Sequence, residues 1–479
     1  MGRRCLVWDS LRTALIVTRR EMRDQFRDWR VIFPVVVLTV LFPWLMNFTA
    51  SQAVAFVNRY GAPLVAQRLM PFLLLMVGFF PSTVSLVIAL ESFVGEMERR
   101  SIEPLFSSPL SDLQLYLGKL LAAMVVPIGA SYLGILVYLA GVYWRVGWRP
   151  EPLLLFQVFM LSTVQSVLMV SGAMVISTQT TSVRAANLLS SFVIIPMAFL
   201  IQGEAMVMFW AQYSALWLAI LGQLIVAGML VRTGVAYFNR EELLGRELDN
   251  LNLGSSWSRL RSEFLSGART PWEWYRRGVF PAVRRLAIPA GMMAAALVIG
   301  LWAGTTQVHV LVFPAERLEP RTLAQGFALS MNTMPLLSAG GAGLLWLHNL
   351  RAMLLASFLG IFSFGVLGIV ILLLPMMIIG YLTGTVVAAG MSPLPYLVGL
   401  VLPHGVLEIP AILLAGAAIF GLGGVLLSPA RGKKIGEAWL GALADWGKIM
   451  LGLVAPLLLG AAFIEALVTP RVALWIFGG

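Results

Sequence analysis

The sequence predicts an all-α polytopic membrane protein of about eleven transmembrane helices, arranged as a six-span and a five-span unit. Three observations carry that expectation. Of 479 residues 59% are apolar and 12% charged, with a mean hydropathy of +0.86, far from a soluble globular composition. The apolar residues gather in runs near the roughly 20 residues that cross the hydrocarbon as a helix. The charges collect between those runs.

The net charge of +11 would direct a soluble chain to nucleic acid. Here the arginines lie beside the spans, so they read as positive-inside topology and contact with anionic lipid, with no nucleic-acid partner. The single Cys5 excludes an internal disulfide and argues against a thiol metal site. No cofactor is expected. A long charged segment precedes a first apolar run of span length, so no cleavable signal is expected.

Residues 1 to 30 hold eight arginines and four acids. Leu11, Leu15, Met22, Phe26 and Trp29 recur there at helical spacing, which describes an interfacial helix on the cytoplasmic face. Spans follow at about 31–48, 70–92, 120–141, 153–176, 187–202 and 211–231. Trp144, Arg145, Trp148 and Arg149 anchor an outer turn, and Arg184 marks an inner one. Residues 1–231 thus form a six-span domain. Residues 232–285, with ten arginines and six acids, read as a basic cytoplasmic linker bearing one or two surface helices and the aromatics Trp272, Trp274 and Tyr275.

Residues 286–479 form the second membrane domain. A span at about 286–302 leads to an outer segment with His309, Arg317 and Arg321. From Ala352 to Ala430 the only formal charge is Glu408, and Arg431, Lys433 and Lys434 follow. That run must cross an odd number of times, and its length fits three. Its first turn is placed at Ser363 to Gly365, giving spans of about 344–362 and 366–389; a last span covers about 450–468. The glycines at 360, 365, 368, 380 and 384 read as close helix packing.

Between spans two and three lies ERRSIEPLFSSPLSDLQLYLGK, residues 98–119. Its charges and prolines place it in water at the bilayer face. As a helix it would put Ile102, Leu105 and Phe106 on one side, ready to dock on another protein. Many cytoplasmic loops are equally amphipathic, so the order of residues carries the specific signal. Glu98, Arg99, Ser101, Ile102, Glu103, Pro104, Leu105, Ser108, Pro109 and then Gly118-Lys119 resemble the "E-R-x-T-L-E-P-L…S-P…G-K" loop of type 2 ABC permeases. Arg100 departs from the glycine usual there, which stiffens a helix. The resemblance implies an export permease whose loop, from Glu98 to Pro109, couples it to a separate ATPase, usually with two six-span units, hence as a homodimer or with the second membrane domain partly replacing a second permease half.

The chain has no phosphate-cradling loop ending Gly-Lys-Ser or Gly-Lys-Thr: Gly118-Lys119, Gly432-Lys433 and Gly447-Lys448 are followed by Leu120, Lys434 and Ile449. By that route it is no enzyme, and ATP hydrolysis falls to a partner.

In the second domain, Asn349 and Arg351 open a glycine-rich apolar run, and Pro403, His404, Gly405 and Glu408 form a P-H-G-x-x-E core. These residues resemble the stage II sporulation protein M family, linked in spore formers to cell-wall remodelling and without a known catalytic activity. His404 and Glu408, four apart, share a helix face; structural hydrogen bonding, a proton or substrate role, and metal binding all remain open. Arg351 is expected either to pair with Glu408 or to snorkel to the interface. The function expected is therefore the membrane permease subunit of an ATP-driven exporter, in the cell membrane with its N-terminus cytoplasmic. The alternative is a non-transporting scaffold for envelope remodelling.

Overall fold

The computed structural model describes residues 2–60, 63–99, 108–180, 182–238, 253–309, 318–333, 339–425 and 435–478. Every regular element among them is helical. Eleven helical stretches are long and apolar enough to cross a membrane, six before residue 238 and five after residue 286, as composition predicts. The described chain divides into two compact units at this same break, one up to residue 238 and one from residue 253.

The first unit contains α1 (Gly2–Arg27), α2 (Trp29–Tyr60), α3 (Pro63–Glu98), α4 (Asp112–Val146), α5 (Pro152–Gln179), α6 (Val183–Leu189), α7 (Ser191–Phe209) and α8 (Leu216–Tyr237). The most buried spans are α3 and α5, which pack on each other at its centre. The start of α4 is a capping box: Ser111 Oγ accepts from the Gln114 amide while Gln114 Oε1 accepts from the Ser111 amide. Its end is Gly147, in the left-handed conformation that suits glycine. The first span, Ile32–Val57, outruns the expected 31–48. The hydroxyls of Thr49 and Ser51 bond back to the Leu45 and Phe48 carbonyls, so polar residues there extend the helix instead of ending it.

The second unit contains α9 (Leu253–Leu265), α10 (Pro271–Trp274), α11 (Phe280–Arg285), α12 (Ala287–Thr306), α13 (Pro320–Thr333), α14 (Ala339–Ile361), α15 (Val366–Ala388), α16 (Pro393–Tyr396), α17 (Leu402–Gly424), α18 (Ile435–Ile449), α19 (Ala455–Leu467) and α20 (Thr469–Phe477). The α14–α15 turn falls where expected: Phe364 and Gly365 take φ of 53° and 93°, and the Gly365 amide bonds the Gly360 carbonyl. Backbones of α12 and α15 touch, for a Cβ at Gly304 or Gly380 would strike the Met377 or Leu301 carbonyl. The core joins Met293 and Leu297 of α12, Met353 and Ala356 of α14, Leu372 of α15, Ala415 and Ile419 of α17 and Leu458 of α19.

Three π-helical turns, Tyr275–Val279, Leu397–Val401 and Met450–Val454, each stand two residues before a proline: Pro281, Pro403 and Pro456. A proline ring clashes with the carbonyl four residues back and offers it no N–H; a wider turn absorbs the clash. At Pro456 the carbonyl so abandoned belongs to Gly452, and the Tyr275 hydroxyl donates to it at 2.8 Å. Tyr275 therefore packs into the unit rather than decorating a linker surface. The adjacent Trp274 packs its ring on Phe264 and on Gly452, and Arg285 grips Asp445 with two bonds of 2.8 and 2.6 Å.

Candidate coupling end and intramembrane polar sites

The end of the first unit that carries the 98–119 stretch is built from α1, α3, α4 and α6. Glu98, at the last turn of α3, accepts the Val183 amide on its Oε1 at 2.7 Å, which ties that turn to the start of α6. Ser182 caps the same helix by accepting from Ala185. Both loops therefore lie at one end of the bundle. Arg99 is exposed and 3.9 Å from Glu91, a distance that contributes little at a surface. Ser108 is half-buried and Pro109 exposed. Ser101, Ile102, Glu103, Pro104 and Leu105, with Arg100 and Phe106, lie outside the described residues.

The Gly-Lys pair that closes the stretch has a definite physical role for each member. Gly118 lets α1 lie on α4: a Cβ there would sit 2.6 Å from the Val17 Cβ and 3.0 Å from the Ala14 carbonyl oxygen. The Thr18 hydroxyl donates to the Gly118 carbonyl across that contact at 3.1 Å. Lys119 is 1% exposed, and its ammonium meets Glu96 at 2.9 Å, the Ser92 carbonyl at 3.0 Å and Glu21 of α1 at 3.3 Å. The Phe93 ring flanks it at 5.4 Å. A buried ammonium is tolerated only when paired and hydrogen-bonded, and each of its three donors finds an oxygen here. One lysine thus joins α1, α3 and α4 at the root of the loop.

A second polar site lies deeper. Glu204 of α7 is buried and accepts from the Gln165 amide of α5 at 2.6 Å and from the Gln223 amide of α8. The carbonyl oxygens of both glutamines have no hydrogen-bond partner among the described residues. Counting from the helix ends at Gln179, Ser191 and Tyr237, the three residues stand 14, 13 and 14 residues up from the loop-bearing end. At 1.5 Å per residue that is about 20 Å, one common level across three helices. Sequence reasoning passed over this site. Its signal is that Glu204 is the only acid from Pro152 to Arg240.

In the second unit His404 and Glu408 do share a face, with Nε2 and Oε2 3.8 Å apart, while His404 Nδ1 lies 3.2 Å from the Thr469 hydroxyl. Glu465 of α19 is within Coulombic reach of Glu408. No group of three or more His, Cys, Asp or Glu among the described residues is arranged to hold a metal.

The Arg351–Glu408 pair is absent from the ion pairs of the described residues, which corrects that expectation. Arg351 is exposed, whereas the side of α14 that enters the core bears Met353, Ala356 and Ser357. Arg351 and Met353 are two residues apart, about 200° around a helix, so the arginine points away. Asn349, also two residues from Arg351, falls on the core-facing side with Met353 and Ala356 and is half-buried.

The profile described as ABC-2 family transporter protein matches residues 15–307. The one described as stage II sporulation protein M matches residues 288–470. The two overlap on α12. A search of curated proteins finds no match.

Proposed function

The chain belongs to the ABC-2 family of transporter proteins and carries a stage II sporulation protein M segment in its second half, and from this we propose that it is the permease subunit of an ATP-driven exporter. It is a multi-pass membrane protein with a permease domain. A separate ATPase supplies the energy, docking at Glu98 to Pro109 from the cytoplasmic side, where α1 also lies. The unit works as a homodimer in the cell membrane.

The observation that favours this reading is the construction of the loop's root. Glu98 fastens the loop's first residue to α6, and Lys119 fastens its second flanking helix to α1 and α3. A force that reaches Glu98 or Lys119 is therefore passed to three spans and to α1. Such bracing is what a lever needs and what a passive connection does not.

Co-purification with an ATPase whose turnover depends on this chain tests the proposal. Charge reversal, Glu103→Lys, is expected to abolish stimulation and transport while the protein remains inserted. Unchanged ATPase binding and stimulation in that variant would count against docking at the loop. Cysteine labelling in a Cys5→Ser background tests orientation: positions 255 and 433 are expected on the inner side and 320 on the outer.

A further inference from the structure

One candidate span of the second unit leaves a charge facing outward near the middle of its described length. In α14 the exposed side chains Leu344, Leu347, His348, Arg351, Leu354, Leu355 and Phe358 fall on a single face, within an arc of about 120° at 100° per residue. Its aliphatic and aromatic members Leu344, Leu347, Leu354, Leu355 and Phe358 are 60%, 36%, 45%, 54% and 57% exposed, as a lipid-facing stripe should be. Arg351 sits in the middle of that stripe. It is 11 residues from Gly340 and 10 from Ile361, the ends of the candidate span. That is about 15 Å from either end, half the thickness of a hydrocarbon core of roughly 30 Å. Its side chain is too short to bring the guanidinium to either interface, so snorkelling does not resolve it. No ion pair to it exists among the described residues.

We propose that this face of α14 docks a transmembrane helix of another membrane protein, one that carries a carboxylate at mid-depth opposite Arg351. Charge complementarity selects that occupant. An arginine among hydrocarbon tails is expensive, and membrane arginines are found facing a protein interior or paired. The stripe around it supplies the apolar contact that two helices need. A second copy packed parallel through the same face would set arginine against arginine. This chain's own acids do not fit either. Glu204 is buried, Glu465 lies within Coulombic reach of Glu408 and of His348 but makes no ion pair with Arg351, Glu408 has its ion pair with His404, and Glu91, Glu96 and Glu98 lie in the last two turns of α3. The docking face is independent of the coupling loop and of any ATPase.

The test uses the full chain in phosphatidylcholine vesicles, in a Cys5→Ser background with a donor dye on Gly343→Cys, a position with open space around its Cβ. Acceptor-labelled polyleucine transmembrane peptides carry one central Glu, Gln or Arg. Energy transfer is expected to show the Glu peptide binding about tenfold tighter than the Gln peptide. Arg351→Leu should erase that preference and Arg351→Lys should keep it. Arg351→Glu should transfer it to the Arg peptide, a gain that no folding defect produces. Equal binding of the Glu and Gln peptides to the unsubstituted chain overturns the proposal. So does a preference that disappears once phosphatidylglycerol is included, for then lipid phosphate covers the arginine.

Discussion

Replacing Lys119 by methionine removes the cation and keeps most of the apolar stem. Three contacts of 2.9, 3.0 and 3.3 Å are lost, and two carboxylates are left facing each other beside Phe93. Breaking a buried ion pair by deleting one partner typically costs 3–5 kcal/mol, because the stranded charge is not resolvated. Glu21 and Glu96 side chains keep 14% and 26% of their exposure, which places the expected loss near the lower end, about 3 kcal/mol. For a unit of this size, roughly 2–4 °C per kcal/mol converts that into a fall of about 6–12 °C in the melting temperature. The assay is thermal unfolding of the detergent-solubilised full chain, followed by a reporter in the first unit. The triple variant Lys119→Met, Glu21→Gln, Glu96→Gln should recover most of the loss, since no unpaired charge remains. A melting point within about 2 °C of the parent for Lys119→Met would show that the network contributes nothing and that the reasoning is wrong.

Other consequences follow from the same geometry. Gly118→Val should destabilise by about 1–3 kcal/mol through overlap with Val17 and Ala14, and should raise protease access to α1; a neutral effect would mean that α1 does not rest on α4. Glu98→Gln keeps an acceptor for the Val183 amide, whereas Glu98→Ala strands it, so faster hydrogen exchange at residues 183–186 is expected in the alanine variant alone. Tyr275→Phe should cost about 1–3 kcal/mol by leaving the Gly452 carbonyl bare, and less in a Pro456→Ala background, where a backbone N–H returns; additive effects would sink that account. Glu204→Leu orphans two glutamine amides at once and should be worse than Glu204→Gln, measured as loss of folded protein extracted from membranes.

What could be read from the chain alone was whatever depends on length and composition. The eleven spans, and the turn at Ser363 to Gly365, follow from how many apolar residues reach across a bilayer. The Gly118-Lys119 pair was visible as part of a motif, but its partners were not, since Glu21 lies 98 positions away. Arg351 was joined to Glu408 because both were rare charges in an apolar stretch. Scarcity says that a charge needs a partner and does not say on which face of its helix it stands. The Gln165, Glu204 and Gln223 site eluded sequence reasoning for a related reason: a common level on three helices emerges only after the helix ends are known. The wide turns before Pro403 and Pro456 did leave a trace, the repeated Gly-Leu-Val-x-Pro at residues 399–403 and 452–456, with glycine where the ring presses back.

The burial of Lys119 also bears on how the protein enters the bilayer during synthesis. Glu21 and Glu96, its two counter-charges, both precede it in the chain. As the ribosome extends the polypeptide, each carboxylate has emerged before the lysine does, so the ammonium need never be buried without its partners. Charge neutralisation is thereby ordered in time. A rearranged gene that delivered the α4 segment ahead of α1 and α3 would hand the insertion machinery an unpaired lysine, and a chain able to fold to the same structure would be expected to stall at that step.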